Sequence, residues 1–188
     1  MASDASFADN TLDRKSSQAY VMKLFGGIIG WRANKQDTVT TSTTEAELLA
    51  LAQAAKEAMF VNRLINELGV TLDSKHIRIQ CDNQQTIRLV TKEIGLLRTK
   101  LRHVDIHNHW LRQEIEKGLI SVEYTPTNKM IADGLTKALP IQKWDDFLDQ
   151  LRLCEPDPDQ SQAQQSGTTW EEIENHIQGG ESSEWVTN

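Results

Sequence analysis

The spacing of apolar side chains along the chain predicts a β-hairpin followed by a long helix. Residues 18–24 alternate apolar and polar side chains, Gly26 and Gly27 supply a turn, and a second apolar run covers residues 28–31. From residue 43 to residue 68 the apolar side chains recur at three- and four-residue spacing, and Gly69 follows. This period is typical of an amphipathic helix that stops at a glycine.

The rest of the pattern alternates short strands with helices. We predict strands at residues 76–80 and 119–124, and helices at residues 83–92, at about 100–117, at 130–139 and at 141–151. Gly118 closes the second long helix, and Pro140 separates the last two helices. Helices that join strands in this order favour an α/β fold, in which helices cover both faces of a mixed sheet of about five strands.

The two ends of the chain differ from this pattern. Only three residues precede Asp4, so the first strand is expected to be truncated. Residues 155–188 contain eight acids, no Lys or Arg and few apolar side chains, which predicts an acidic, disordered tail after a single domain at residues 1–154. The tail accounts for the net charge of −7, because the domain itself is close to neutral. The acidic composition therefore does not argue against a nucleic-acid ligand.

Composition predicts an intracellular protein. The two cysteines, Cys81 and Cys154, lack the spacing of a zinc site or a disulfide framework, which is typical of a reducing compartment. No apolar run reaches the roughly 18 residues of a membrane span, and the N-terminus lacks the profile of a signal peptide. We therefore expect a cytoplasmic or nuclear protein that does not enter a membrane.

Four acidic residues become candidates for a metal site once they are placed on the predicted elements. Asp4 lies in the first strand, Glu47 in the first turn of the long helix, Asp82 at the end of the middle strand and Asp133 in a late helix. Open α/β sheets build their sites at the carboxyl ends of strands and the adjoining helix starts. Carboxylates that meet there repel one another unless cations lie between them, and Mg²⁺ prefers such oxygen ligands. Two ions about 4 Å apart can activate a water and stabilise the leaving oxygen of a phosphodiester.

Each acid also has an interpretation without a metal. Thr44 and Glu47 match a capping box, and Asp82 lies where it would cap the following helix. Asp4 fits a loop and Asp133 fits a solvated helix position. Taken singly, caps and solvated acids are commoner than metal ligands, so the local sequence leaves both interpretations open.

Several short strings resemble one protein family, in the right order, across residues 3–153. The strings are S-D-A-S-F-A-D at residues 3–9, D-R-K-S at 13–16, T-S-T-T-E-A-E-L at 41–48, C-D-N at 81–83, R-H-V-D-I at 102–106 and I-A-D-G-L-T-K at 131–137. Together they resemble the ribonuclease H domain of copia-type long-terminal-repeat retrotransposon Pol polyproteins. Ser6 and Phe7 depart from the family's opening string, which often has Asp and Trp there, and neither is an inferred metal ligand.

This resemblance implies a ribonuclease H-like fold and a metal-dependent endonuclease that hydrolyses the RNA strand of RNA–DNA hybrids. The family's catalytic and metal-binding acids fall on Asp4, Glu47, Asp82 and Asp133, which would bind two Mg²⁺ ions or, in their place, Mn²⁺. The implied partners are the RNA–DNA hybrid and the reverse transcriptase domain of the parent polyprotein. Activity depends on whether the short first strand still holds Asp4.

Glu45 is a rival to Glu47 for the metal site. Glu47 precedes Leu48 and repeats with Leu51 and Ala55, so it borders the face of the helix that packs on the sheet. Glu45 lies two residues earlier and points about 200° around the helix. We therefore predict a solvated or capping role for Glu45.

A basic segment at residues 98–112 is a candidate strip for binding nucleic acid. A solvated basic helix explains the same pattern without a ligand. His103 and His109 in this segment are also candidates for assisting proton transfer. The residues that would contact the phosphate backbone are Arg98, Lys100, Arg102, His103 and Arg112.

Two other functions fit parts of the sequence. The first is a catalytically inactive retrotransposon remnant that binds nucleic acid or protein, which the truncated first strand favours. The second is an integrase or transposase on the same fold, which typically has its acids in the order Asp, Asp, Glu. Here Glu comes second and Asp comes last, which argues against the second function.

Overall fold

The structure is a computed structural model that describes residues 1–91 and 102–153, without the side chain of His103. The strands in these residues form one five-stranded sheet. In chain order the strands are β1 (Ala2–Ser6), β2 (Ser17–Leu24), β3 (Gly27–Lys35), β4 (Ile77–Cys81) and β5 (Ile120–Tyr124). Their order in the sheet is β3-β2-β1-β4-β5, so the N-terminal strand is central. The β1–β2 and β2–β3 pairs are antiparallel, and the β1–β4 and β4–β5 pairs are parallel. The predicted mixed sheet of about five strands is confirmed.

The first strand is short, yet it is firmly built into the sheet. All five residues of β1 pair with residues of β2. On its other side β1 pairs with β4 only at Ala2, opposite Gln80. Asp4, in the middle of the strand, is only 1% exposed. The shortness of β1 therefore does not prevent it from holding Asp4 in the interior.

Helices cover both faces of this sheet, as predicted. Ala5 packs against α1 (Thr43–Glu67), whereas Ala2 packs in a cluster with Phe147 of α5 (Ile141–Leu151). Positions 2 and 5 of a strand point to opposite faces, so α1 and α5 lie on different sides of the sheet. In the described ranges, no helix is both long enough and apolar enough to cross a membrane. The helices are α1 (Thr43–Glu67), α2 (Gln84–Thr91), α3 (Arg102–Glu116), α4 (Asp133–Thr136) and α5 (Ile141–Leu151), with a 3₁₀ turn at Thr127–Lys129.

The main core lies between the sheet and the helices α1 and α3. Leu48 and Leu51 of α1, Ile79 of β4 and Leu111 of α3 are fully buried there. These leucines of α1 belong to the apolar repeat that predicted the helix. Burying side chains of this size stabilises the fold by roughly 1.5–3 kcal/mol each, so the core fixes α1 against the central strands.

The predicted helix at residues 130–139 is wrong in extent. Only Asp133–Thr136 is α-helical, and the chain before it forms a turn whose side chains Met130, Ile131 and Ala132 are buried. These apolar residues recur because they pack on the sheet together with Phe147, and the chain need not be helical to bury them. The predicted tail at residues 155–188 and the predicted start of the second long helix at residue 100 lie outside the described residues.

Candidate active site

Three of the four predicted acids meet at one end of the sheet. Asp4, Glu47 and Asp82 each offer a carboxylate oxygen, and these three oxygens lie within 4.8 Å of one another. Asp4 belongs to β1, Glu47 to α1, and Asp82 directly follows β4. Because β1 and β4 are parallel and Ala2 lies opposite Gln80, Asp4 in the middle of β1 is level with Asp82, which follows the end of β4.

Small side chains bring Glu47 to this edge. Ala46 and Ala50 of α1 pack on Ala5 of β1, which lets the helix approach the strand closely. Glu47 is the fifth residue of α1, which places it in the second turn of the helix. The predicted position in the first turn is wrong. Asp4 and Ala5 are successive strand residues and point to opposite faces, yet a carboxylate oxygen of Asp4 lies within 4.8 Å of one from Glu47.

Burial raises the pKa of both interior acids. The pKa of Glu47 rises to about 9 because the side chain is buried and because Asp4 and Asp82 add like charge. Burial also raises the pKa of Asp4, and a hydrogen bond from Thr136 and the charge of Lys137 oppose that shift. The Oε2 atom of Glu47 is buried and has no hydrogen-bond partner among the described residues. A buried oxygen without a partner, on a side chain whose carboxylate lies near those of Asp4 and Asp82, fits a divalent cation as its missing partner.

Asp133 lies beside this group and is not one of the three. Its carboxylate forms an ion pair with Lys137, four residues later. The negative charge of Asp133 still raises the pKa of Asp4, so the two residues are close enough to interact. Burial lowers the pKa of Lys137, but its hydrogen bond to Asp133 and the charge of Asp4 outweigh that effect and raise it. The fourth predicted acid is therefore neutralised by a neighbour of its own.

Of the two alternative roles predicted for Glu45, capping is confirmed and solvation is wrong. Ser42 caps α1 by accepting a hydrogen bond from the backbone N–H of Glu45 at 3.2 Å. The Glu45 carboxylate in turn accepts hydrogen bonds from the backbone N–H and the hydroxyl of Thr41, at 2.6 and 2.8 Å. Glu45 is buried. The cap of α1 therefore belongs to Ser42 and Glu45, and the alternative capping box of Thr44 and Glu47 is wrong.

The capping alternative for Asp82 is also wrong, because the next residue takes that role. The side-chain oxygen of Asn83 accepts hydrogen bonds from the backbone N–H groups of Gln85 and Thr86, both at 3.0 Å. Asp82 is left half-buried at the site, where its Oδ2 atom accepts a hydrogen bond from the hydroxyl of Thr127 at 2.7 Å.

Two threonines that the sequence did not single out contact the site acids. Thr136 donates a hydrogen bond to the Oδ2 atom of Asp4 at 2.5 Å, just as Thr127 does to Asp82. A signal for Thr136 was present, because it follows Asp133 at a spacing that places both on one side of a helix. Nothing in the local sequence indicated Thr127, since its contact with Asp82 depends on the fold.

The structure describes only part of the predicted basic strip. Arg98, Lys100 and the side chain of His103 lie outside the described residues. Arg102 is exposed at the start of α3, and Arg112 is half-buried further along the same helix. Their role in binding nucleic acid stays a prediction.

Sequence comparison finds relatives among transposon polyproteins, although no model of a known protein family matches the chain. The chain is 37% identical over 142 residues to the "Retrovirus-related Pol polyprotein from transposon TNT 1-94" of Nicotiana tabacum, a match that covers 76% of this chain and 10% of that polyprotein. It is 29% identical over 156 residues to the corresponding polyprotein from transposon RE2 of Arabidopsis thaliana, which covers 83% and 10%. The chain thus spans about a tenth of the length of these relatives.

The fold and the relatives agree with the resemblance noted in the sequence. A solved structure of LC11-RNase H1 in complex with RNA/DNA hybrid aligns with a TM-score of 0.49 and 14% identity, covering 71% of this chain and 90% of that one. The described sheet, with its two antiparallel and two parallel pairs, has the ribonuclease H-like α/β architecture. The chain is similar to a segment of the retrovirus-related Pol polyproteins of transposons.

Proposed function

We propose that this protein is a metal-dependent endonuclease of the ribonuclease H type, which hydrolyses the RNA strand of RNA–DNA hybrids. The observation that carries the proposal is the convergence of Asp4, Glu47 and Asp82 from three separate elements of the fold. The kinship with retrovirus-related Pol polyproteins supports it, because reverse transcription produces such hybrids.

Divalent cations are the proposed cofactor. Asp4, Glu47 and Asp82 would hold two Mg²⁺ ions, or Mn²⁺, with Asp133 as the fourth ligand once it separates from Lys137. The unpartnered Oε2 atom of Glu47 supports this assignment. When bound, the ions supply an activated water and stabilise the leaving oxygen of the phosphodiester.

The protein's own residues prepare the site in two ways. Burial of Asp4 and Glu47 raises the pKa of each carboxyl group, which means that their ionised forms are unfavourable here unless a cation balances the charge. The firm pairing of β1 with β2 fixes the backbone of Asp4. The acids therefore need little rearrangement to bind metal. Catalysis favours a site that is organised in this way before the reaction begins.

The proposed substrate is an RNA–DNA hybrid held by its backbone. In this proposal Arg102 and Arg112 of α3 contact phosphate groups together with Arg98, Lys100 and His103. Contacts to 2′-hydroxyl groups would distinguish the RNA strand from the DNA strand. The reverse transcriptase domain of a parent polyprotein is the proposed partner, and the compartment is the cytoplasm or the nucleus.

A cleavage assay tests the proposal. The same labelled RNA is offered to the full chain as a hybrid with DNA, as a duplex with RNA and as a single strand, each with Mg²⁺ or with EDTA. We expect cleavage of the hybrid alone, and only with Mg²⁺. Glu47→Gln should abolish cleavage, and Glu45→Gln, which changes a neighbouring buried acid outside the site, should retain it. Hybrid binding without cleavage by the parent would favour the inactive remnant instead.

A further inference from the structure

We propose that Thr136 and Thr127 are positioning residues, whose hydroxyl groups orient the carboxylates of Asp4 and Asp82 for the metal. This inference rests on the proposed function, because it assigns a role within the same site. The two threonines differ from the acids in that neither threonine would touch the metal or the substrate.

The contact of Thr136 with Asp4 is short and shielded from water. The hydroxyl lies 2.5 Å from Oδ2 of Asp4 and 3.2 Å from the backbone oxygen of Asp133. A hydroxyl has one hydrogen to donate, and the shorter bond to a carboxylate is the stronger of the two. Both Thr136 and Asp4 are buried, so water does not compete well for this bond. The hydroxyl therefore fixes the rotation of the Asp4 carboxylate.

Thr127 acts in the same way on Asp82, which follows β4. Its hydroxyl lies 2.7 Å from Oδ2 of Asp82, and it opens the 3₁₀ turn that follows β5. Pro126 precedes it with a φ of −58°, and the backbone N–H of Thr125 bonds to the carbonyl oxygen of Cys81 at 3.0 Å. The chain around Thr127 is therefore held close to the end of β4, beside Asp82.

Both hydroxyls belong to one anchored segment, Thr127 to Thr136. Between them Met130, Ile131 and Ala132 are buried against the sheet. The segment thus runs from the acid at the end of β4 to the acid in β1, and its apolar centre prevents it from shifting. A single stretch of chain sets the orientation of two carboxylates that come from different strands.

The three clustered acids need such a device. Their oxygens lie within 4.8 Å of one another, so whichever of these acids are ionised together repel one another when no cation is present, and this repulsion favours other side-chain rotations. A neutral donor that holds one oxygen of a carboxylate prevents this rotation without adding charge. Partners of this kind behind metal ligands typically change metal affinity by about 10- to 100-fold.

Metal titration of matched threonine variants tests the inference. The full chain is titrated with Mn²⁺ by calorimetry as the parent, as Thr136→Val, which keeps the shape and loses the hydroxyl, and as Thr136→Ser, which keeps the hydroxyl. We expect about a 10-fold weaker affinity for Thr136→Val and an affinity within about 2-fold of the parent for Thr136→Ser. Thr127→Val should weaken binding less, because Thr127 is exposed. Thr91→Val, which removes a hydroxyl bonded to the Ile87 carbonyl in α2, should bind as the parent does.

The outcomes separate this inference from the proposed function. A parent that binds no Mn²⁺ overturns both. A parent that binds and cleaves, together with a Thr136→Val variant of equal affinity, overturns the positioning role alone. If Thr136→Val fails to fold, Thr136→Ser decides the matter, because a 10-fold loss of affinity with the hydroxyl still present would show that the methyl group, and not the hydrogen bond, is what counts.

Discussion

Glu45 and Glu47 lie two positions apart in α1 and are both buried, but only the carboxylate of Glu47 lies with those of Asp4 and Asp82. Glu45 turns back to Thr41 and completes the cap of the helix. The two glutamates are therefore a matched pair, in which Glu45 caps the helix and Glu47 belongs to the acidic site.

Replacing Glu45 with Gln should weaken folding without affecting metal binding. The variant loses a charged acceptor at the N-terminus of α1, which should lower the free energy of unfolding by about 1 kcal/mol. Urea unfolding with and without Mg²⁺ measures both quantities. A variant that no longer gains stability from Mg²⁺ would contradict the assignment of Glu45 to the cap.

Replacing Glu47 with Gln should stabilise the metal-free protein, and more so at high pH. Between the ordinary pKa of Glu47 and its folded value of about 9, the folded state keeps a proton that the unfolded state has released. Stability of the parent therefore falls as pH rises through this window, and the fall is absent at acidic pH. We expect Glu47→Gln to exceed the parent by a few kcal/mol at pH 8 and by little at pH 4.5.

Urea unfolding in EDTA at the two pH values measures this difference. Glu45→Gln serves as the control, since its change in stability should not follow the same pH dependence. An equal gain for Glu47→Gln at both pH values would show that Glu47 does not carry the unfavourable charge.

Asp82 and Asn83 provide a second matched pair. Asp82→Asn removes one of the repelling charges, so the metal-free variant should be at least as stable as the parent, while its response to Mg²⁺ shrinks. That response in the parent should reach about 2.7 kcal/mol when free metal is 100 times its dissociation constant. Asn83→Ala should instead cost about 1 kcal/mol through the lost cap of α2 and keep the full response. Thermal melts with and without Mg²⁺ distinguish them, and an unchanged response in Asp82→Asn would remove Asp82 from the site.

Gly134 should tolerate no side chain, because a Cβ at this position would overlap the ring of Phe147. Gly134→Ala is therefore expected to lower the free energy of unfolding by about 1–3 kcal/mol through overpacking. Phe147→Leu makes room, so the double variant should be more stable than the sum of the two single changes predicts. Urea unfolding of the four proteins completes the cycle, and simple additivity would show that the two residues do not compete for space.

Elements with a strong period were predictable from the sequence. The last helix has the predicted bounds, Ile141–Leu151, and β2 and α1 agree within one residue, whereas β3 extends four residues beyond the predicted run, to Lys35. The cap of α1 was not predictable, since Ser42, Thr43 and Thr44 all offer a hydroxyl and two acids follow at matching spacings. The buried turn before α4 has an apolar pattern that periodicity alone does not distinguish from a helix.

The site was predictable only in part. Asp4, Glu47 and Asp82 stand out because they occur in strings that resemble a known family, and the fold brings them together. The pairing of Asp133 with Lys137 and the donation from Thr127 depend on side-chain orientations that sequence spacing does not fix.

The hydrogen bond from Thr136 to Asp4 joins residues 132 positions apart. Contacts between distant parts of a chain form late in folding, because a long loop must close before the contact is made. During synthesis the hairpin can form early, but Asp4 acquires its partner only after α4 has left the ribosome. A chain interrupted before Thr136 would keep all five strands and the three clustered acids, and it would lack the hydroxyl that holds Asp4.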